Sequence, residues 1–358
     1  MEIMKTQLFY IIVLAGLICT FTHAAFQDRS EIKKYSLYRD RLYTDKLLTK
    51  EVYKNFFEFD LFYSKGVKTL ISEVKEAMDS SNNPLLKQLN VMEVLSKNIN
   101  TEKLVDIGVT FGTPLPYIKI NEHRLLPGFF ADFNAGTLVS IDNRVDPTDP
   151  RANIYLKKDI KYGLNSRYKT NQNNDAFDFS IYKLSRSDLE TSKTASQIIS
   201  EDSFIDLDSL TKDEKVIAAD LKYMQTLGNS AYLYEIREFK LHTLSGSQES
   251  SYGTKPYLRF EFDRLFNETY GLSFFIGEHF RQRYKFQNGL YLGIRMRSLE
   301  KPPIAFIFKF DADFLTFIPE LKTKWLIANY KLIIPHSNPQ DEIWASTIHS
   351  ISLNIPFP

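Results

Sequence analysis

From Pro256 to Phe357 the chain repeats one pattern: a large apolar residue at every second position, with polar or charged residues at most of the places between. Leu258, Phe260 and Phe262 alternate with Arg259, Glu261 and Asp263, and the rhythm returns in Tyr270 to Ile276, Leu290 to Met296 and Ile304 to Phe310. Successive side chains of a strand point to opposite faces, so each segment has one apolar and one wet side. A soluble sandwich would share its dry face with a second sheet. A transmembrane barrel would turn it to lipid.

Three accompanying features favour the barrel: an export signal, no cysteine in the exported part, and strands ending in aromatics up to the last residues. Lys5, the apolar run Leu8–Cys19 and the small residues Thr22 and Ala24 form an export signal over 1–24. An apolar run of about 12 residues is short against the roughly 20 that a spanning helix needs. Ile18 does not suit a lipidation site at Cys19, the chain's single cysteine, so the exported part carries no thiol and no disulfide. No other stretch is apolar and long enough for a spanning helix, which leaves strands to enter a membrane. Forty-five basic residues balance 44 acidic ones, giving no argument for nucleic acid.

Residues 25–103 read as an N-terminal helical segment. Val67, Leu70, Ile71, Val74, Ala77 and Met78 share one helical face, Asp79–Asn83 breaks it, and Pro84 opens a second helix with Leu85, Leu86, Leu89, Met92 and Leu95. Leu47–Tyr63 is read as a third helix. Two placements stay open: helices beside the barrel on the periplasmic side, or a plug in its lumen.

Residues 104–358 read as the barrel. Val105 to Phe111, a short piece at Tyr117–Ile120, Phe129 to Ile141, Ala152 to Leu156 and Phe177 to Ile181 come first. Residues 186–229 then read as a loop insertion carrying a helix, because Thr211 and Glu214 form a capping box ahead of Val216, Ile217, Leu221, Met224 and Leu227. Tyr232, Tyr234 and Ile236 slip phase into Phe239 and Leu241, the mark of a bulge. Leu326 to Ile334 and Ala345 to Phe357 complete an all-β antiparallel barrel of about 12 strands, within a range of roughly 10 to 14. An even count sends the insertion outside the cell.

On the dyad-repeat strands, the absent cysteine and a closing strand ending near Phe357, the chain resembles Gram-negative outer-membrane β-barrel proteins from Val105 to its end. Pro356 and Pro358 depart from that group's closing strand. The resemblance implies the outer membrane, a lipid surround and insertion by the barrel assembly machinery. No motif names a member.

If one face meets lipid, the lumen receives Arg259, Glu261, Asp263, Arg281, Arg295, Arg297, Lys309, Asp311, Asp313 and Lys331. Opposite charges on neighbouring strands either pack the interior shut or line a wet passage, and a basic ladder of Arg281, Arg295 and Arg297 would favour anions unless Asp311 and Asp313 neutralise it. No catalytic residue, metal site or cofactor is assigned. Ser273 and His279 share a face but lie about 20 Å apart along a strand, too far for the proton transfer of a lipid hydrolase. His349 and Ser350 point oppositely. Two functions remain: a barrel that passes a small solute or serves as a structural wall, or a secreted or periplasmic all-β binding module without membrane insertion.

Overall fold

Backbone pairing closes the sheet on itself. A computed structural model describes residues 30–47, 56–120, 123–169, 175–205, 210, 212–246, 253–268, 270–281, 286–298, 304–336 and 344–356. The export signal over 1–24, Thr211 and Phe357 lie outside the described residues. The wall begins with β1 (Phe56–Ser64), β2 (Thr101–Pro114), β3 (His123–Asp142), β4 (Arg151–Lys169) and β5 (Ala176–Thr194). It continues with β6 (Lys212–Leu227), β7 (Ser230–Gly246), β8 (Tyr257–Asn267), β9 (Leu272–Arg281) and β10 (Leu290–Arg297). β11 (Ile304–Asp311), β12 (Phe314–Lys322), β13 (Ile327–Pro335) and β14 (Ile348–Pro356) finish it. These fourteen are antiparallel to their neighbours, and β14 pairs with β1 from Ser64↔Ile348 to Phe56↔Pro356.

The strand count is therefore 14 rather than about 12. Three strands account for the difference. Phe57, Phe59, Leu61 and Tyr63 alternate with Glu58, Asp60, Phe62 and Ser64, so the expected third helix ends in β1. Residues 212–227 form β6, not a capped helix. Their apolar spacing suits both periods, but β6 pairs with β5 from Lys212↔Asp188 and with β7 from Leu227↔Ser230, and this lateral pairing decides. The supposed loop insertion 186–229 is thus mostly wall, interrupted by the short helix Ala195–Ser200. β12 is the third. Conversely, Ile118–Ile120 only extends a hairpin onto β3, and Trp344–Ala345 adds a short parallel pairing to β2.

The apolar faces look outward. On β11, Ile304, Phe306, Phe308 and Phe310 are exposed while Ala305, Ile307, Lys309 and Asp311 are buried. A continuous exposed band of this kind suits hydrocarbon, as in membrane barrels whose apolar belt is about 25 Å tall. One closed ring leaves no second sheet to stack on, which excludes the sandwich arrangement. No described helix is long and apolar enough to cross a membrane.

The two rims differ. At one, here the turn end, Gly228–Asn229 and Thr323–Leu326 make short connections. At the other, the loop end, long segments carry α2 (Val67–Asp79), α3 (Pro84–Lys97) and α4 (Ala195–Ser200). There β3, β4 and β5 rise past their neighbours. Their outward residues Val139, Ile141, Ala152, Ile154 and Leu156 are buried beneath Leu70, Val74, Val91, Leu95 and Ile198 of these helices. Below that patch the outward row turns polar at Lys158, Ser187 and Asp213, and then apolar again at Ile160, Tyr162 and Leu164. The α2–α3 pair, expected on the periplasmic side or in the lumen, covers the outside of the loop-end wall.

Candidate functional site

One helix crosses the lumen. In α1 (Ser30–Leu47) every described side chain from Lys34 to Tyr43 is buried except Arg39 and Tyr43, which are half-buried. Charged and apolar groups alternate around it, a composition no single flat surface could satisfy. An enclosing wall does. Tyr35, Tyr38 and Leu42 pack with Phe62, Leu104, Leu138, Tyr155, Phe314, Ile333 and Ile348, contributed by seven different strands. Those strands make up one half of the ring, and Glu235 and Arg281 meet the helix from the other half, which places it inside. The helix in the lumen is thus α1, which the sequence reading did not single out within residues 25–103.

Ion pairs fix its position. Lys34 meets Glu102 at 3.2 Å, Arg39 meets Asp159, Arg41 meets Asp313 and, at 3.8 Å, Asp311. Arg281 grips Asp40 with both fork nitrogens, at 2.7 and 2.9 Å. The Tyr43 hydroxyl donates to Glu235 at 2.8 Å, and the Arg237 guanidinium lies over its ring at 3.4 Å. Such paired, hydrogen-bonded charges hold geometry more than they add net stability, but removing one partner is costly. Glu102, Phe314 and Ile348 stand at the loop-end starts of their strands, and Arg281 at the loop-end finish of its own. The helix therefore bars the loop-end half.

Behind it stands a wall network. Arg186 bridges Asp159, at 2.9 Å, and Glu238, at 3.0 Å, while Lys161 and Arg281 also donate to Glu238, at 3.2 and 3.0 Å. Glu238 arrives there through the anticipated bulge: Ala219 faces Phe239 and Leu221 faces Ile236, so Asp220 opposes both Arg237 and Glu238. A bulge of this kind turns two consecutive side chains inward. Glu238 takes φ 53°, a left-handed conformation costly for glutamate, and its N–H donates to Asp220 at 2.8 Å.

The ten lumen candidates fall into separate groups rather than one ladder. Arg281 joins the plug and Glu238. Lys309 reaches Asp311 at 3.2 Å, and Asp311 and Asp313 face Arg41 of the plug. Arg259 pairs with Glu261 and donates to the Tyr291 hydroxyl at 2.9 Å, which donates to Glu261 at 2.7 Å. Asp263 pairs with Arg295, and half-buried Arg297 lies beyond it towards the turn end. Lys331 lies over the Phe62 ring at 5.4 Å. Asp311 and Asp313 thus do not neutralise Arg295. Sequence reading missed Asp40, Arg41, Asp159, Arg186 and Glu238. Only the phase slip before Phe239 pointed to one of them.

On the turn-end side of α1 lies a cavity of about 420 Å³. Arg39 and Tyr43 of the helix line it, as do Asp60, Asp106 and Asp132 of the wall and Lys322 and Lys324 near the turn-end rim. No group of three or more His, Cys, Asp or Glu that could hold a metal occurs among the described residues.

No family model and no curated protein sequence matches the chain. In fold it is similar to the transport unit of the autotransporter AIDA-I from Escherichia coli, at 10% identity and TM-score 0.39, over 93% of this chain and 100% of that one. It is also similar to the TodX deltaS2S3 mutant monoaromatic hydrocarbon channel, at 10% identity and TM-score 0.45, over 86% and 90% of the two chains. The beta domain of the Bordetella autotransporter BrkA matches at 9% identity and TM-score 0.36, over 85% and 100%. Likeness at these scores carries no argument about activity. The superfamily-level resemblance to outer-membrane barrels stands on the closed even-stranded ring, its apolar outside and its ionic inside.

Proposed function

We propose that the protein is an outer-membrane channel for small polar solutes, shut at rest by its own helix α1. The observation that carries this reading is the manner of attachment. Among the described residues α1 meets the wall through side-chain ion pairs and ring contacts, and no strand of the wall pairs with its backbone. Moving the helix would break ion pairs and one aromatic cluster while every ladder hydrogen bond of the ring stayed intact.

The same reading orients the barrel. In this class long loops face outward and short turns the periplasm, so α1 bars the external side and the cavity opens to the periplasm. Insertion would use the outer-membrane assembly machinery. Transport is proposed rather than catalysis: Ser273 and His279 sit on the inner face at the separation noted above, and His349 turns outward to the Tyr330 hydroxyl, 2.6 Å away.

Planar-bilayer recording tests the proposal. The full chain should show little steady current, and a chain lacking residues 30–47 should show stable ohmic conductance. A deletion variant that keeps heat-modifiable gel mobility yet carries no current would leave only a structural wall protein.

A further inference from the structure

We propose that the cavity beneath the plug binds a small organic cation, an amine or guanidinium compound with several N–H donors; this rests on the reading of the lumen as a solute path. Neighbouring strands β1, β2 and β3 line it with Glu58, Asp60, Asp106 and Asp132. Asp106 accepts from the Tyr35 hydroxyl at 2.8 Å and from Asn134 Nδ2 at 2.6 Å, and Asp132 from the Thr110 hydroxyl at 3.0 Å. Those donors are neutral and do not themselves cancel the carboxylate charge, while Arg39 and Lys157, which also lie near Asp106, are engaged by Asp159.

A second observation is independent of the carboxylates. Asn329 of β13 lines the same cavity at 8% exposure, and its Oδ1 accepts no hydrogen bond among the described residues. Asn134 Oδ1, on the opposite side of the acidic wall, is likewise without a donor. A buried carbonyl oxygen lacking a donor is unfavourable, and a ligand N–H satisfies it. The two amides belong to one inward row that runs Asn329, Ser352, Asp60, Gly108, Asn134 across five strands. Gly108 sends no side chain into the row, so Asp60 and Asn134 border an open step. A Cβ there would stand 3.6 Å from atoms of both.

The facing side is prepared differently. Arg39, Lys157 and Arg186 converge on Asp159, and Lys161, Arg186 and Arg281 on Glu238. A ligand carboxylate would have to compete with those two acids, whereas a ligand ammonium meets acceptors. Of the other cations lining the cavity, Arg237 meets Asp220 at 3.4 Å, and Lys222, Lys322 and Lys324 lie towards the turn-end rim, where salt screens them.

Titration calorimetry on the full chain in detergent tests this, with spermidine as probe and succinate as the anionic control. Spermidine should bind at one site and succinate should not. Asp132→Asn should weaken spermidine about tenfold, the scale of one charge-assisted hydrogen bond, and Asn329→Leu about threefold or more. Heat-modifiable mobility shows that each variant is folded. Absence of spermidine binding by the folded full chain, succinate binding of equal strength, or unchanged affinity in both variants overturns the inference. Conductance of the plug-deleted barrel without spermidine binding overturns this site and leaves the channel, while spermidine binding without that conductance does the reverse.

Discussion

The hydroxyl of Tyr35 reaches Asp106 across space that a side chain at Gly136 would occupy: a Cβ built there would collide with both the Tyr35 oxygen and Asp106 Oδ2. The glycine is thus part of the seat of the plug, although it belongs to the wall. Gly136→Val should leave the ring closed, because its backbone pairs with Asp106 and Lys157 as an ordinary strand position, but displace the amino half of α1. Bilayer recordings should show frequent openings that the parent chain lacks. Unchanged silence with an intact, heat-modifiable barrel would mean that Tyr35 does not hold the plug.

The grip of Arg281 on Asp40 joins the plug to β9. Asp40→Asn removes the anion while Glu238 still faces the same guanidinium, and breaking such a buried pair costs about 3–5 kcal/mol. Plug opening should rise accordingly, measured as open probability. The exchange Asp40→Arg with Arg281→Asp should restore part of the closure. If the double variant is as open as the sum of its singles, the two side chains are not coupled.

Much of the wall was legible because lipid and lumen impose opposite polarities on alternate residues. Phe306, Phe308 and Phe310 against Lys309 and Asp311 leave little choice of period. β6 was not legible, since Val216, Ile217, Leu221 and Met224 satisfy a helical stripe as well as a strand, and only its pairing partners on β5 and β7 decide. β1 was hidden by helical sequence on both sides. The plug's contacts could not be read, because α1 is amphipathic towards nothing: its charged residues match acids and bases that are distant in sequence, Arg41 with Asp313 and Asp40 with Arg281. The bulge that delivers Glu238 left a trace in the phase of Ile236 and Phe239, but not the three cations that meet there.

The connection after β3 offers a pH-dependent test outside the membrane. Thr148 donates to Asp146 Oδ1 from its hydroxyl at 2.7 Å and its backbone N–H at 2.8 Å, which holds this carboxyl below the usual range. A depressed folded value means the turn is favoured above the carboxyl's unfolded pKa, and that preference is lost as pH falls through the folded one. Thr148→Ala should raise the Asp146 titration midpoint towards that of an ordinary aspartate, followed by carboxyl carbon shifts in nuclear magnetic resonance. An unmoved midpoint would remove the hydroxyl as the cause.

Two outward residues separate the lipid-covered wall from the helix-covered wall. Phe308 stands on β11 within the exposed aromatic band, whereas Ile154 points outward from β4 and is buried by α2, α3 and α4. An arginine on the lipid face near the bilayer centre costs about 2–4 kcal/mol, so Phe308→Arg should lower the free energy of folding into vesicles by that order. Ile154→Arg places the same charge beneath the helices and above the polar row of Lys158 and Ser187. It should expose residues 65–100 to protease in solution while leaving vesicle insertion close to that of the parent. Insertion impaired equally by both substitutions would mean that lipid, not water, surrounds the helical cover, and that the membrane boundary lies nearer the loop end than Lys158.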